Sequence, residues 1–131
     1  MNLNLLWAAL VGALLGSLAD WLFAGVIFHD RYQLTPDTWR SGSDERMRIA
    51  AAQALCLVSS AGFVLLAWKT HQTDLRGALK LAAMIWLIAP LPMLIANAMF
   101  IRVDHRVTAS HAAGWLAKLL LIAAATAWFL K

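Results

Sequence analysis

Residues 3–28 read LNLLWAALVGALLGSLADWLFAGVIF, an apolar run in which Asp20 is the single charged side chain. At 1.5 Å per residue a helix of this length reaches ~39 Å, more than the ~30 Å of hydrocarbon in a bilayer, so the run is expected to cross a membrane. No Lys or Arg precedes it. A secretory signal needs a basic start, a shorter apolar core and a small-residue cleavage site, so the segment is expected to stay as the first of several spans.

Three more apolar stretches follow, at about 49–68, 79–101 and 109–130, and together the four take up most of the 131 residues. Composition agrees with this reading: 62% of residues are hydrophobic and 14% charged, with a mean hydropathy of +0.68, whereas a soluble domain carries roughly 25% charged residues. The expected fold is therefore all-α, a single integral membrane domain over residues 1–131 built as a four-helix transmembrane bundle with short loops. Little chain remains for a soluble catalytic domain. The net charge of +4 is scattered over short connections, where cations meet lipid headgroups, so the expected surroundings are the bilayer and not nucleic acid. The one cysteine, Cys56, lies within an apolar stretch, which excludes an intramolecular disulfide and a CxxC site.

The connections carry helix punctuation. In the polar stretch 29–48, Thr35-Pro36-Asp37 has an N-cap residue followed by proline at the first helical position, so a short interfacial helix near Pro36 to Arg40 is expected. Ser41-Gly42-Ser43 should end it, and Ser43 with Asp44 and Glu45 should start the second span. A polar turn at 69–74 leads to the third span, whose Pro90 and Pro92 predict a kink or local unwinding. Four spans place both termini on one face, here the terminal side, and the first and third connections on the other, the loop side. Trp7, Trp68 and Trp128 fall at the terminal-side ends of three spans, and Tyr32, Trp39 and Phe100 near the opposite boundary, as interfacial aromatic belts. Arg31, Arg40, Arg46, Arg48, Arg102 and Arg106 outnumber Lys69, Arg76, Lys80 and Lys131, so the loop side is expected in the cytoplasm and the termini in the periplasm of a bacterial inner membrane.

Within the first span, Ala8, Gly12, Gly16, Asp20 and Ala24 recur at spacing four, which makes one smooth stripe where another backbone can approach. The stripe puts Asp20 in a packed interface. It lies ~12 Å from the loop-side end of its helix, and Lys118, in the antiparallel fourth span, lies ~13 Å from the matching end. Either charge alone at such depth is expensive, so Asp20 and Lys118 are expected to form an intramembrane ion pair. Such a pair serves equally well as a structural lock on helix register. Other polar side chains gather toward the loop side: Ser17, Gln53, Asn97, His111 and Trp115, with Ser59 and Ser60 at mid-depth. The terminal-side half is nearly all Leu, Ile, Ala and Val. This asymmetry predicts a wet pocket open toward the loop side, although a lone amide such as Asn97 also serves as interhelical glue.

His29, His105 and His111 lie at the loop-side boundary with Asp30 and Asp104 nearby, so a metal or haem role is conceivable. No two of these histidines have the i,i+4 spacing that favours a shared metal on one helix. No cofactor is called for, and no GxSxG, P-loop, dinucleotide-binding or zinc-protease motif is present, so catalysis has no support.

The first span with its exit, GALLGSLADWLFAGVIFHDRY, is followed by Asn97-x-x-Phe100-x-Arg102 closing the third span and by Gly114-Trp115 and Trp128-Phe129 in the last. In these elements the chain resembles an uncharacterised family of small bacterial four-span integral membrane proteins, defined only as a domain of unknown function. The resemblance implies the fold and supplies no activity. Small multidrug exporters share the four short spans and an acid in the first, but their signature around that acid is missing here.

The leading functional expectation is an ion/proton-coupled or small-solute carrier or binding protein acting as an oligomer. Asp20 and Lys118 would form its charged centre, Gln53 and Asn97 its polar lining, and Pro90 with Pro92 its flexible point. The rival is a non-catalytic subunit that packs against a larger membrane-protein partner through Gly12 and Gly16. The third reading is a metal- or haem-handling protein using His29, His105 and His111.

Overall fold

The structure, a computed structural model, describes residues 3–30 and 44–130. Helix α1 (Leu3–Asp20) runs directly into a π-helical segment, Trp21–Ile27. Then come α2 (Glu45–Lys69), α3 (Leu75–Ile88), α4 (Pro90–Phe100) and α5 (His105–Phe129). Among the described residues there is no strand. Leu3–Ile27, Arg46–Lys69, Leu75–Phe100 and His105–Phe129 are each long and apolar enough to cross a bilayer. The protein is an all-α, four-helix integral membrane protein. The expected interfacial helix at Thr35-Pro36-Asp37 and the break at 41–43 lie outside the described residues.

Local chemistry sets the helix ends. Asp74 caps α3, its Oδ2 accepting from the Gly77 N–H at 3.1 Å. Asp104 caps α5, its Oδ1 accepting from the Arg106 N–H at 2.7 Å. These caps lie outside the apolar runs, so α3 starts at Leu75 and α5 at His105, ahead of the expected Leu79 and Ala109. Hydropathy marks where hydrocarbon begins, whereas capping marks where the helix begins. Helix α2 closes on a Schellman turn: the Gln72 N–H donates to the Ala67 carbonyl at 2.8 Å and the His71 N–H to the Trp68 carbonyl at 3.3 Å. His71, at φ 56°, takes the left-handed position that glycine usually fills.

The third span breaks between α3 and α4 at Ala89 (φ −126°, ψ −75°). The Pro90 ring disfavours helical backbone at the residue before it. Pro90 and Pro92 have no N–H to donate, so the carbonyls of Trp86 and Ile88 lose their usual i+4 donors. Proline is nevertheless at home in the first turn of α4, and the chain resumes a regular helix there.

Helix α5 is the hub. It packs against α1, α2, α3 and α4, while α1 also packs closely on α2. Phe63 and Ala67 of α2, Ala78 and Ala82 of α3, and Leu119, Ile122 and Ala123 of α5 form one buried cluster. Ala8 and Ala9 of α1 with Val64 of α2 form another. So many alanines at these contacts let backbones come close, which suits a solvent where association depends on van der Waals packing. The large apolar side chains of the outer faces, Leu14, Leu18, Trp21, Leu55, Val58 and Ile88 among them, are exposed.

The α1–α2 contact carries two polar cross-links. The Ser60 hydroxyl donates to the Ala9 carbonyl at 2.8 Å, and one turn away the Cys56 thiol donates to the Ala13 carbonyl at 3.4 Å. Gly12 and Gly16 lie beside them. A Cβ at Gly12 would come within 2.5 Å of Ser60 Oγ and 3.3 Å of Ile122 Cγ2, and one at Gly16 within 3.0 Å of both Cys56 Sγ and Lys118 Cγ. The small-residue stripe is thus consumed inside the chain, against α2 and α5.

Candidate functional site

Helix α1 delivers Asp20 to the bundle interior because the stripe that contains it is clamped between α2 and α5. From α5, Lys118 extends past Gly16, where the missing Cβ leaves room for the lysine stem. Lys118 Nζ lies 2.5 Å from Asp20 Oδ2, and the ammonium also stands 4.3 Å from the centroid of the Trp115 ring, one turn earlier on α5. Carboxylate and aromatic face together replace the water that the ammonium gives up.

The two partners are unequally covered. The Lys118 side chain is 8% exposed and the Asp20 side chain 41%. Both border a cleft of about 260 Å³ that is also lined by Phe23, Ala24, Ala52, Ser110, His111, Gly114 and Trp115. Its walls are therefore the end of α1 and the π-helical segment, the start of α2 and the first half of α5. Apart from Lys118, at the middle of α5, the lining residues lie in the loop-side half of the spans.

The π-helical segment begins at the residue after Asp20. At its end the Phe28 N–H reaches back to the Phe23 carbonyl at 3.1 Å, and the Ser110 hydroxyl of α5 donates to that same carbonyl at 3.5 Å. A Cβ at Gly114 of α5 would stand 3.5 Å from the Phe23 Cβ, and Phe28 stacks on Phe23 with the ring centroids 6.5 Å apart. Such i→i+5 segments are rare and concentrate at functional sites.

Of the residues singled out from sequence, the structure brings Asp20, Lys118, His111 and Trp115 to one cleft. Ser17, Gln53 and Asn97 are not among its lining residues. Gln53 and Asn97 are exposed and Ser17 is half-buried. Depth along a helix is readable from sequence, but the direction around its axis is not when every face is apolar. Ser59 donates to Leu55 within its own helix, and Ser60 belongs to the α1–α2 contact. Pro90 and Pro92 are on the third span, which packs on α5 and contributes nothing to the cleft wall. Sequence reasoning misses Ser110, Phe23 and Gly114. The signal for Ser110 and Gly114 is their spacing of four from each other and from Lys118, which places all three on one face of α5.

His29, His105 and His111 are exposed. Among the described residues, no three His, Cys, Asp or Glu side chains converge on a geometry that could hold a metal ion.

A family model described as "Protein of unknown function (DUF1761)" matches residues 7–127. No curated protein and no solved structure matches the chain.

Proposed function

Starting from the fact that the chain belongs to the DUF1761 family of proteins of unknown function, we propose that it is a small-solute or ion-coupled carrier or binding protein acting as an oligomer, with the Asp20–Lys118 cleft as its binding site. The supporting observation is the unequal cover of the pair. A purely structural lock needs no opening beside it, whereas here the pair borders a cleft that a small solute can fill, and the carboxylate is the more exposed of the two charges. Charged groups inside a membrane commonly mark ion or substrate paths. The rival role, an accessory subunit of a larger membrane complex, loses the surface assigned to it, since Gly12 and Gly16 are packed within the chain. The proposed setting is the bacterial inner membrane with both termini periplasmic, on the strength of the loop-side arginines.

Native mass spectrometry of the protein taken from its own membrane in nanodiscs tests this reading. A homo-oligomer retaining a small mass that the Asp20→Asn variant fails to retain is the expected result. A stoichiometric foreign polypeptide, with no small mass on either variant, would overturn it in favour of an accessory subunit.

A further inference from the structure

We propose that the cleft takes a small organic cation, a primary ammonium, which replaces the Lys118 ammonium as the partner of Asp20 while Lys118 releases one proton. The proposal rests on the reading of the cleft as a solute site and names its ligand class and coupling. The chain itself displays the recognition chemistry: a primary ammonium held between the Asp20 carboxylate and the face of Trp115. Both charges border the cleft, and the carboxylate is the more exposed of the two. An entering solute therefore meets negative charge first. Phe23 adds a second aromatic wall beside Asp20, and about 260 Å³ suits a solute of a few heavy atoms.

Charge conservation supplies the coupling. Before exchange the site holds Asp20 carboxylate and Lys118 ammonium; a second cation would leave a net positive charge deep in the span, at a steep cost in hydrocarbon. The Lys118 stem packs close against Gly16, where Cys56 Sγ also lies 3.0 Å from the place a Cβ would take, and this packing restrains it from swinging clear. The ammonium instead gives up a proton, which leaves through the cleft to bulk water, and stays as a neutral amine. The balance is one cation in, one proton out, with no bond to carbon made or broken. The ionisable groups that face the pair are His111, on α5 and in the same cleft, and the Cys56 thiol of α2 beside Gly16.

Titration calorimetry of the full chain in nanodiscs, with methylammonium chloride as probe and sodium chloride and sodium acetate as comparisons, tests the exchange. Performed at several pH values and in two buffers of different ionisation enthalpy, it reports affinity and protons released together. Release of one proton with methylammonium, and affinity rising about tenfold per pH unit, is expected from linkage. Lys118→Met should bind methylammonium with that pH dependence gone. Methylammonium binding without proton release overturns the exchange, and binding of sodium or acetate in its place overturns the ligand class; both leave the cleft as a solute site. Absence of methylammonium binding to the wild-type chain overturns the proposal, and the Asp20-dependent retained mass then decides separately whether the cleft holds any solute.

Discussion

Lys118 and Asp20 meet across the α1–α5 interface as a buried ammonium and a half-open carboxylate. That inequality makes their two removals different experiments. Taking away Asp20 strands a buried charge, whereas taking away Lys118 leaves a carboxylate that water in the cleft can reach.

Asp20→Asn is expected to destabilise the fold. Breaking a fully buried pair costs about 3–5 kcal/mol, and the exposure of Asp20 reduces the expectation to about 1–3 kcal/mol. Lys118→Met alone should cost less, and the double variant should recover most of the loss from Asp20→Asn without recovering solute retention. Thermal unfolding in detergent, set out as a double-mutant cycle, checks the stability part. Equal costs for the two single variants would contradict the asymmetry.

Gly12→Ala should destabilise by about 1–3 kcal/mol through overpacking, because its Cβ would fall 2.5 Å from Ser60 Oγ. Gly62, also mid-helix, has nothing within 4 Å of the place where a Cβ would stand, so Gly62→Ala should be neutral or stabilising by up to about 1 kcal/mol from helix propensity. Comparable losses at both glycines would remove the packing explanation.

Ser60→Ala forfeits the hydroxyl bond to the Ala9 carbonyl, worth about 0.6 and at most about 1.7 kcal/mol inside a membrane. Combined with Gly12→Ala it should cost less than the sum of the two, since the serine oxygen is the atom the new methyl meets first. Unfolding midpoints of the three variants decide the point, and strict additivity would count against the contact.

His71→Gly is expected to stabilise. The left-handed backbone at His71 costs an ordinary residue about 1–2 kcal/mol and glycine almost nothing, partly offset by the greater freedom of glycine in the unfolded chain. A net gain of about 0.5–1 kcal/mol in the same unfolding assay is anticipated, and a loss would mean that the His71 side chain contributes a contact of its own.

Much of the fold is legible because the bilayer imposes it: a run of apolar residues long enough to cross must be a helix, and an unpaired charge at depth must find another. Asp20 and Lys118 can be matched from their distances to the span ends alone. Gln53 and Asn97 cannot be placed, since a helix surrounded by lipid and by alanine-rich neighbours shows no polar face to orient it. The π-helical turn after Asp20 is equally silent. Its sequence, WLFAGVI, contains no residue that would break an α-helix outright, so the altered winding is set by partners such as Ser110 and Gly114 on a helix far along the chain. The break at Ala89, by contrast, is written in Pro90 and Pro92 directly.

The hub is also the last of the four spans to be made. During synthesis α1 and α2 reach the bilayer first and can cross-link through Ser60 and Cys56, yet Asp20 does not meet Lys118 until α5 leaves the ribosome. A nascent chain stalled after its third span therefore carries an uncompensated carboxylate in the lipid, a mark that separates unfinished molecules from finished ones.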